Sequence, residues 1–150
     1  MKQSLQKRAF DQIAASSAPG EEPIFATRAV VGKFSSGRFG ALASGMTSGG
    51  GGGLIGGAVN GAFGKKAPHY VILTNRRLVF LTQTMLGGPG KKVTAEVPVG
   101  QFSLAEFKPG GMPLVRIAFS TEGDGVALTF GAMYKSEAKG LVEALQSATA

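Results

Sequence analysis

The chain has 150 residues, 24 of them glycine, and a formal net charge of +7, with no cysteine, no tryptophan and one histidine. A domain of that length buries roughly 68–70% of its unfolded surface, so disulfide staples are not needed. The lack of cysteine excludes them together with thiolate metal sites and thiol catalysis, and a single imidazole excludes a multi-histidine metal centre within one chain.

The charge is unevenly placed. In residues 1–22, Lys2, Lys7 and Arg8 balance Asp11, Glu21 and Glu22. From Pro23 to Ala95 there is no acid, while Arg28, Lys33, Arg38, Lys65, Lys66, Arg76, Arg77, Lys91 and Lys92 stand as nine positive charges. Residues 96–150 carry six acids and four bases, a slight negative excess. An unneutralised basic block attracts anionic surfaces; a simple aid to solubility is the plainer reading. Arg8 and Asp11 interrupt what would be the apolar core of a signal peptide, so the expectation is a soluble, cytoplasmic protein.

Residues 3–16 read as an amphipathic helix with Leu5, Ala9, Phe10 and Ile13 on one side, ended by Ser16-Ser17-Ala18-Pro19-Gly20. A first strand is expected over Ile24–Val31, followed by a long connection from Gly32 to Pro68. Within it, Phe39–Gly64 carries no charged side chain, and Gly45, Gly49, Gly53, Gly57 and Gly61 fall four apart. On a helix that spacing would make one flat packing face. The run Gly49–Gly53 opposes a continuous helix, since each glycine costs about 1 kcal/mol relative to alanine. The strongly apolar residues Phe39, Leu42, Met46, Leu54, Ile55, Val59 and Phe63 are too sparse for a spanning segment. A low-complexity loop is the plain reading, and a packed or membrane-dipping hairpin the alternative.

Strands are expected over Tyr70–Thr74 and Arg77–Thr82, with Asn75-Arg76 as a hairpin turn because Asn tolerates positive φ. Gly87-Gly88-Pro89-Gly90 reads as a loop. Val93, Ala95, Val97 and Val99 alternate with polar residues as a strand does. Phe102–Lys108, Leu114–Ser120 and Val126–Phe130 complete seven strands, the last two joined at Glu122-Gly123-Asp124-Gly125. Ser136 is the expected N-cap of a closing helix with its stripe on Ala138, Leu141, Val142 and Leu145. Gly140 inside it would mark a close helix–sheet approach.

Enzymatic signatures fail on inspection. Gly51-x-Gly53-x-x-Gly56 satisfies a dinucleotide-binding pattern only because the stretch is saturated with glycine, and no acid follows before Glu96. Gly64-Lys65-Lys66 and Gly90-Lys91-Lys92 lack the other residues of a phosphate-binding loop. His69 reads as a partly exposed structural histidine and Asp124 as a turn residue. Nucleic-acid binding is weakened by the absence of stacking aromatics among the bases.

The hairpin Tyr70-Val-Ile-Leu-Thr-Asn-Arg-Arg-Leu-Val-Phe-Leu81, with Gly20-Glu21-Glu22 before the first strand and a helix after the Asp124-Gly125 turn, resembles the bacterial pleckstrin-homology-like (PH-like) domains, related to the PH/GRAM superfold. The resemblance covers about residues 4–34 and 69–148. It implies a mainly β fold: a bent seven-stranded antiparallel barrel or sandwich capped by a C-terminal α-helix. A short N-terminal helix and linker (1–22) and a Gly-rich insertion between strands 1 and 2 (35–66) complete a single domain over 1–150. It also implies binding rather than catalysis, with bases on the first two strands and their connecting loop meeting anionic head groups. Adjacent Arg76 and Arg77 depart from the Lys-x(n)-Arg-x-Arg pattern of phosphoinositide-specific members.

The resulting expectation is a non-catalytic module that takes no cofactor, metal or small-molecule substrate. It would dock on an anionic surface, most simply peripherally on the inner membrane face, through Arg28, Lys33, Arg38, Lys65, Lys66, Arg76 and Arg77. Phe39, Gly45, Gly49, Gly53, Leu54, Ile55, Gly57, Gly61 and Phe63 would form the inserting loop. In the alternative, those loop residues pack against neighbouring copies in a homo-oligomer or against a protein partner; non-specific nucleic-acid binding stands third.

Overall fold

A computed structural model describes residues 3–14, 17, 19–35, 66–119 and 124–149. The elements are α1 (Gln3–Ala14), β1 (Pro23–Ser35), β2 (Ala67–Thr74), β3 (Arg77–Gln83), β4 (Pro89–Pro98), β5 (Phe102–Lys108), β6 (Leu114–Phe119), β7 (Asp124–Thr129), a 3-10 turn (Ala132–Tyr134) and α2 (Lys135–Thr149). The seven strands form one sheet in the order β4-β3-β2-β1-β7-β6-β5, and every neighbouring pair is antiparallel. The ladder does not close, so β4 and β5 are its two edges.

Two apolar clusters explain the shape. The larger takes buried residues from all seven strands, including Val31, Val71, Phe80, Val97, Phe102, Ile117 and Leu128. It closes on Ala138, Leu141, Val142 and Leu145 of α2. Strands that are not paired can share one core only if the sheet curls around it, and α2 fills the space left open. The smaller cluster lies on the outer face, where Ala9 and Ile13 of α1 cover Ala26, Tyr70, Ile72, Val79 and Leu81. The expected bent seven-stranded antiparallel fold with a helix at each end of the chain is therefore present, as an unclosed sheet.

Four local expectations are corrected. Asn75 does not use positive φ, which among the described residues is confined to glycines. Its amide instead accepts from Glu22 N (2.8 Å) and donates to Gly20 O (3.0 Å), clipping the linker onto the hairpin. Pro89-Gly90 is not loop but the start of β4, allowed because an edge strand tolerates proline in its first position. Ser136 is not an N-cap, since α2 begins at Lys135 directly after the 3-10 turn. His69 is buried rather than partly exposed, with Nδ1 2.9 Å from Ala67 O. The close approach at Gly140 is real: a Cβ there would stand 3.0 Å from the Phe25 ring.

Candidate functional site

Of the seven bases expected to form one surface, the five described ones do not lie together. Lys33 near the end of β1 and Lys66 just before β2 are exposed and flank the point where residues 36–65 leave and rejoin the described chain. Lys66 lays its aliphatic stem over Gly32, where an added Cβ would meet Lys66 Cγ at 2.8 Å. Arg76 and Arg77 lie at the β2–β3 turn, at the other end of an eight-residue strand, roughly 25 Å along it at about 3.3 Å per residue. Arg28 sits between, half-buried on the outer face opposite Tyr70. Arg38, Lys65, Phe39, Gly45, Gly49, Gly53, Leu54, Ile55, Gly57, Gly61 and Phe63 lie outside the described residues.

Arg77 is engaged within the fold. Its Nε donates to Glu21 Oε2 at 2.8 Å and its Nη1 to Glu96 Oε2 at 2.7 Å, with only 12% of the Arg77 side chain and 2% of Glu21 exposed. Burial by itself pulls the Arg77 pKa down. The hydrogen bonds and charges of Glu21 and Glu96 outweigh that, so the net shift is upward from the usual arginine value. Thr74 Oγ1 accepts from Arg76 N (3.1 Å) and Arg77 N (3.0 Å) and lies 2.7 Å from Glu21 Oε2. The Arg76 guanidinium reaches back to Pro19 O at 3.4 Å. The Thr74-Asn75-Arg76-Arg77 motif thus ties the linker after α1 to the hairpin.

At the opposite end, the β3–β4 turn presents what the sequence reading missed. Gly87 N donates to Thr84 O (2.9 Å), Thr84 N to Gly88 O (2.8 Å), and Gly88 N to Thr84 Oγ1 (3.1 Å). Gly87 takes φ 88°, the left-handed region open to glycine. These bonds fix Met85 and Leu86 at the apex, where both are fully exposed at 105% and 99%. Lys91 and Lys92 follow, exposed, where bulges shift the register between β3 and β4. Lys33, Lys66, Lys91 and Lys92 have no carboxylate partner among the described residues. The signal legible in the sequence is a Met-Leu pair separated by Gly87-Gly88-Pro89 from Gly90-Lys91-Lys92, masked by the glycines that mark the turn.

Among the described residues no cluster of three or more potential metal ligands occurs, and no helix is long and apolar enough to cross a membrane.

No family model matches the chain. An uncharacterized protein of Archaeoglobus fulgidus is 32% identical over 81 residues, which cover 54% of this chain and 40% of that protein. The chain therefore spans less than half the length of this curated relative. Among solved structures, the activated truncation of Vav1 in its apo form aligns with a TM-score of 0.53 at 10% identity. Vav1 with an allosteric inhibitor gives 0.54 at 10%. A structure addressing the PH and C1 domains of the Vav1 exchange factor gives 0.51 at 14%. Each alignment covers 85% of this chain and 26% of that chain. At such identities the likeness is one of fold. The fold is PH-like.

Proposed function

We propose that this chain is a non-catalytic binding module that docks on an anionic membrane surface through the sheet end that carries Lys33, Lys66, Lys91, Lys92 and the Met85-Leu86 apex. The observation that carries the reading is the complete exposure of two adjacent large apolar side chains on a hydrogen-bonded turn, beside lysines without described acidic partners. Water gains nothing from an apolar apex held rigidly outward, whereas a lipid interface accepts it.

The magnitudes fit a division of labour. Four lysines near an anionic leaflet supply about 1 kcal/mol each, close to the ~4 kcal/mol of a millimolar complex. Met85 and Leu86 must provide the rest. Arg38, Lys65, Phe39, Leu54, Ile55 and Phe63, expected from the sequence to share in docking, lie outside the described residues. Arg76 and Arg77 have no part in it.

Vesicle sedimentation tests the reading. The protein is expected to pellet with phosphatidylserine-containing vesicles at low salt, less at high salt, and not with neutral vesicles. Met85→Ser/Leu86→Ser and a deletion of residues 40–63 should each reduce pelleting. Absence of pelleting at low salt would reject membrane docking, and unchanged pelleting of the two variants would reject apolar insertion.

A further inference from the structure

The outer face holds a second cationic feature, separate from the lysines at the strand ends. Arg28 of β1 and Tyr70 of β2 are cross-strand partners, and both reach the same atom. Tyr70 Oη donates to Gly87 O at 2.6 Å and Arg28 Nη1 to the same oxygen at 3.3 Å. From α1, Arg8 brings its guanidinium over the next residue: a Cβ added at Gly88 would stand 2.7 Å from Arg8 Nη2 and 3.2 Å from its Cζ. Two guanidinium groups therefore converge on consecutive glycines.

Neither arginine is ion-paired among the described residues. Arg28 spends one of its five N–H donors on a long bond to a carbonyl already held by Tyr70. Asp11, the carboxylate one turn along α1 from Arg8, is exposed and forms no ion pair with it. Guanidinium keeps its charge at any ordinary pH, so two such groups over neighbouring glycines present a doubly cationic surface to an anion. Planar forks match tetrahedral oxyanions bidentately, and a species with two negative charges neutralises both.

We propose that Arg8 and Arg28 form a site for a phosphate-monoester dianion, bridging α1 to the β3–β4 turn. The site stands on the sheet's outer face and does not depend on membrane docking. Occupancy fastens α1, whose only fully buried side chains are Ala9 and Ile13, by a second attachment.

The test is a titration of the full chain with inorganic phosphate against sodium chloride of equal ionic strength, read by calorimetry and by thermal unfolding. Phosphate should bind and raise the midpoint while chloride does not. Arg8→Gln and Arg28→Gln should each weaken binding roughly tenfold, the loss of a charge-assisted bond pair. Arg8 is exposed, so its variant keeps the fold even if Arg28→Gln does not. Gly88→Ala retains both arginines but occupies the space under Arg8, and should weaken phosphate binding several-fold without changing net charge. Equal responses to phosphate and chloride, or unchanged binding in Arg8→Gln, would overturn the site. Vesicles containing phosphatidic acid, charge-matched to phosphatidylserine vesicles, separate the sources. A preference for phosphatidic acid that Arg8→Gln removes identifies a lipid-borne monoester, and no preference alongside phosphate binding identifies a free one.

Discussion

The two halves of the sheet are covered differently. In the β1–β4 half, β2 is buried from His69 to Thr74 and β3 from Leu78 to Leu81, because α1 lies outside and the main core inside. In the β5–β7 half, β6 buries Val115, Ile117 and Phe119 and leaves alternate residues only partly covered. The ion pairs follow the same division. Arg77 and Glu21 are nearly enclosed, at 12% and 2% exposure, whereas Arg116 and Glu106 remain 32% and 38% exposed. A second covering layer converts a strand from alternating to continuous apolar character, and turns a solvated ion pair into a structural one. Both proposed anion-binding features adjoin the doubly covered half, whose strands are held from two sides.

Substitutions can break this comparison, beginning with the core. Ile72→Ala should cost about 3–4 kcal/mol in urea unfolding, as expected for a fully buried aliphatic side chain under α1. A cost below about 1 kcal/mol would mean that α1 does not cover this face in solution.

Arg77→Met comes next, at about 3 kcal/mol, since it strands the Glu21 carboxylate in a nearly closed site. Its pH behaviour has a definite sign. The folded pKa of Arg77 is raised, so its contribution is fully present below the unfolded arginine pKa and lost only as pH climbs through the still higher folded value. The difference in stability between wild type and Arg77→Met should therefore hold constant in urea titrations from about pH 6 to about pH 9. A fall of half or more over that window would show that Arg77 is not held as a charged partner.

Arg116→Ala, the matching change in the singly covered half, should cost at most about 1 kcal/mol, because exposed pairs are solvated and screened. A loss equal to that of Arg77→Met would erase the distinction between the halves. Smallest of all, Met85→Ser/Leu86→Ser should shift stability by no more than about 0.5 kcal/mol, since both side chains are already in water. A larger loss would assign the apex a packing role instead of a docking one.

Much of the fold was legible from residue patterns. Seven strands and two helices follow from period-two and period-3.6 spacing, and Gly140 was readable as a close approach because a helix otherwise disfavours it. The candidate site was less legible. Arg28, Lys33, Lys66, Arg76 and Arg77 fall within one acid-free stretch, yet sequence distance says nothing about which end of a strand a residue occupies. From the sequence Arg77 reads as a surface base, because its partners Glu21 and Glu96 lie 56 and 19 residues away. Arg8 gives no signal in the sequence because the charges of its segment sum to zero, although Glu21 of that segment pairs with distant Arg77.

The sequence by itself determined the mainly β class, the basic block and the residues of both helices' apolar stripes. These depend on local periodicity and composition, which the chain carries in order. Only the tertiary structure decided that β2 and β3 are covered twice and that Arg77 is internal. It also decided that Met85 and Leu86 stand outward and that Arg28 and Arg8 come to lie by Gly87 and Gly88. Each of these depends on which distant segments pack together, and packing is set by the curl of the whole sheet around one core.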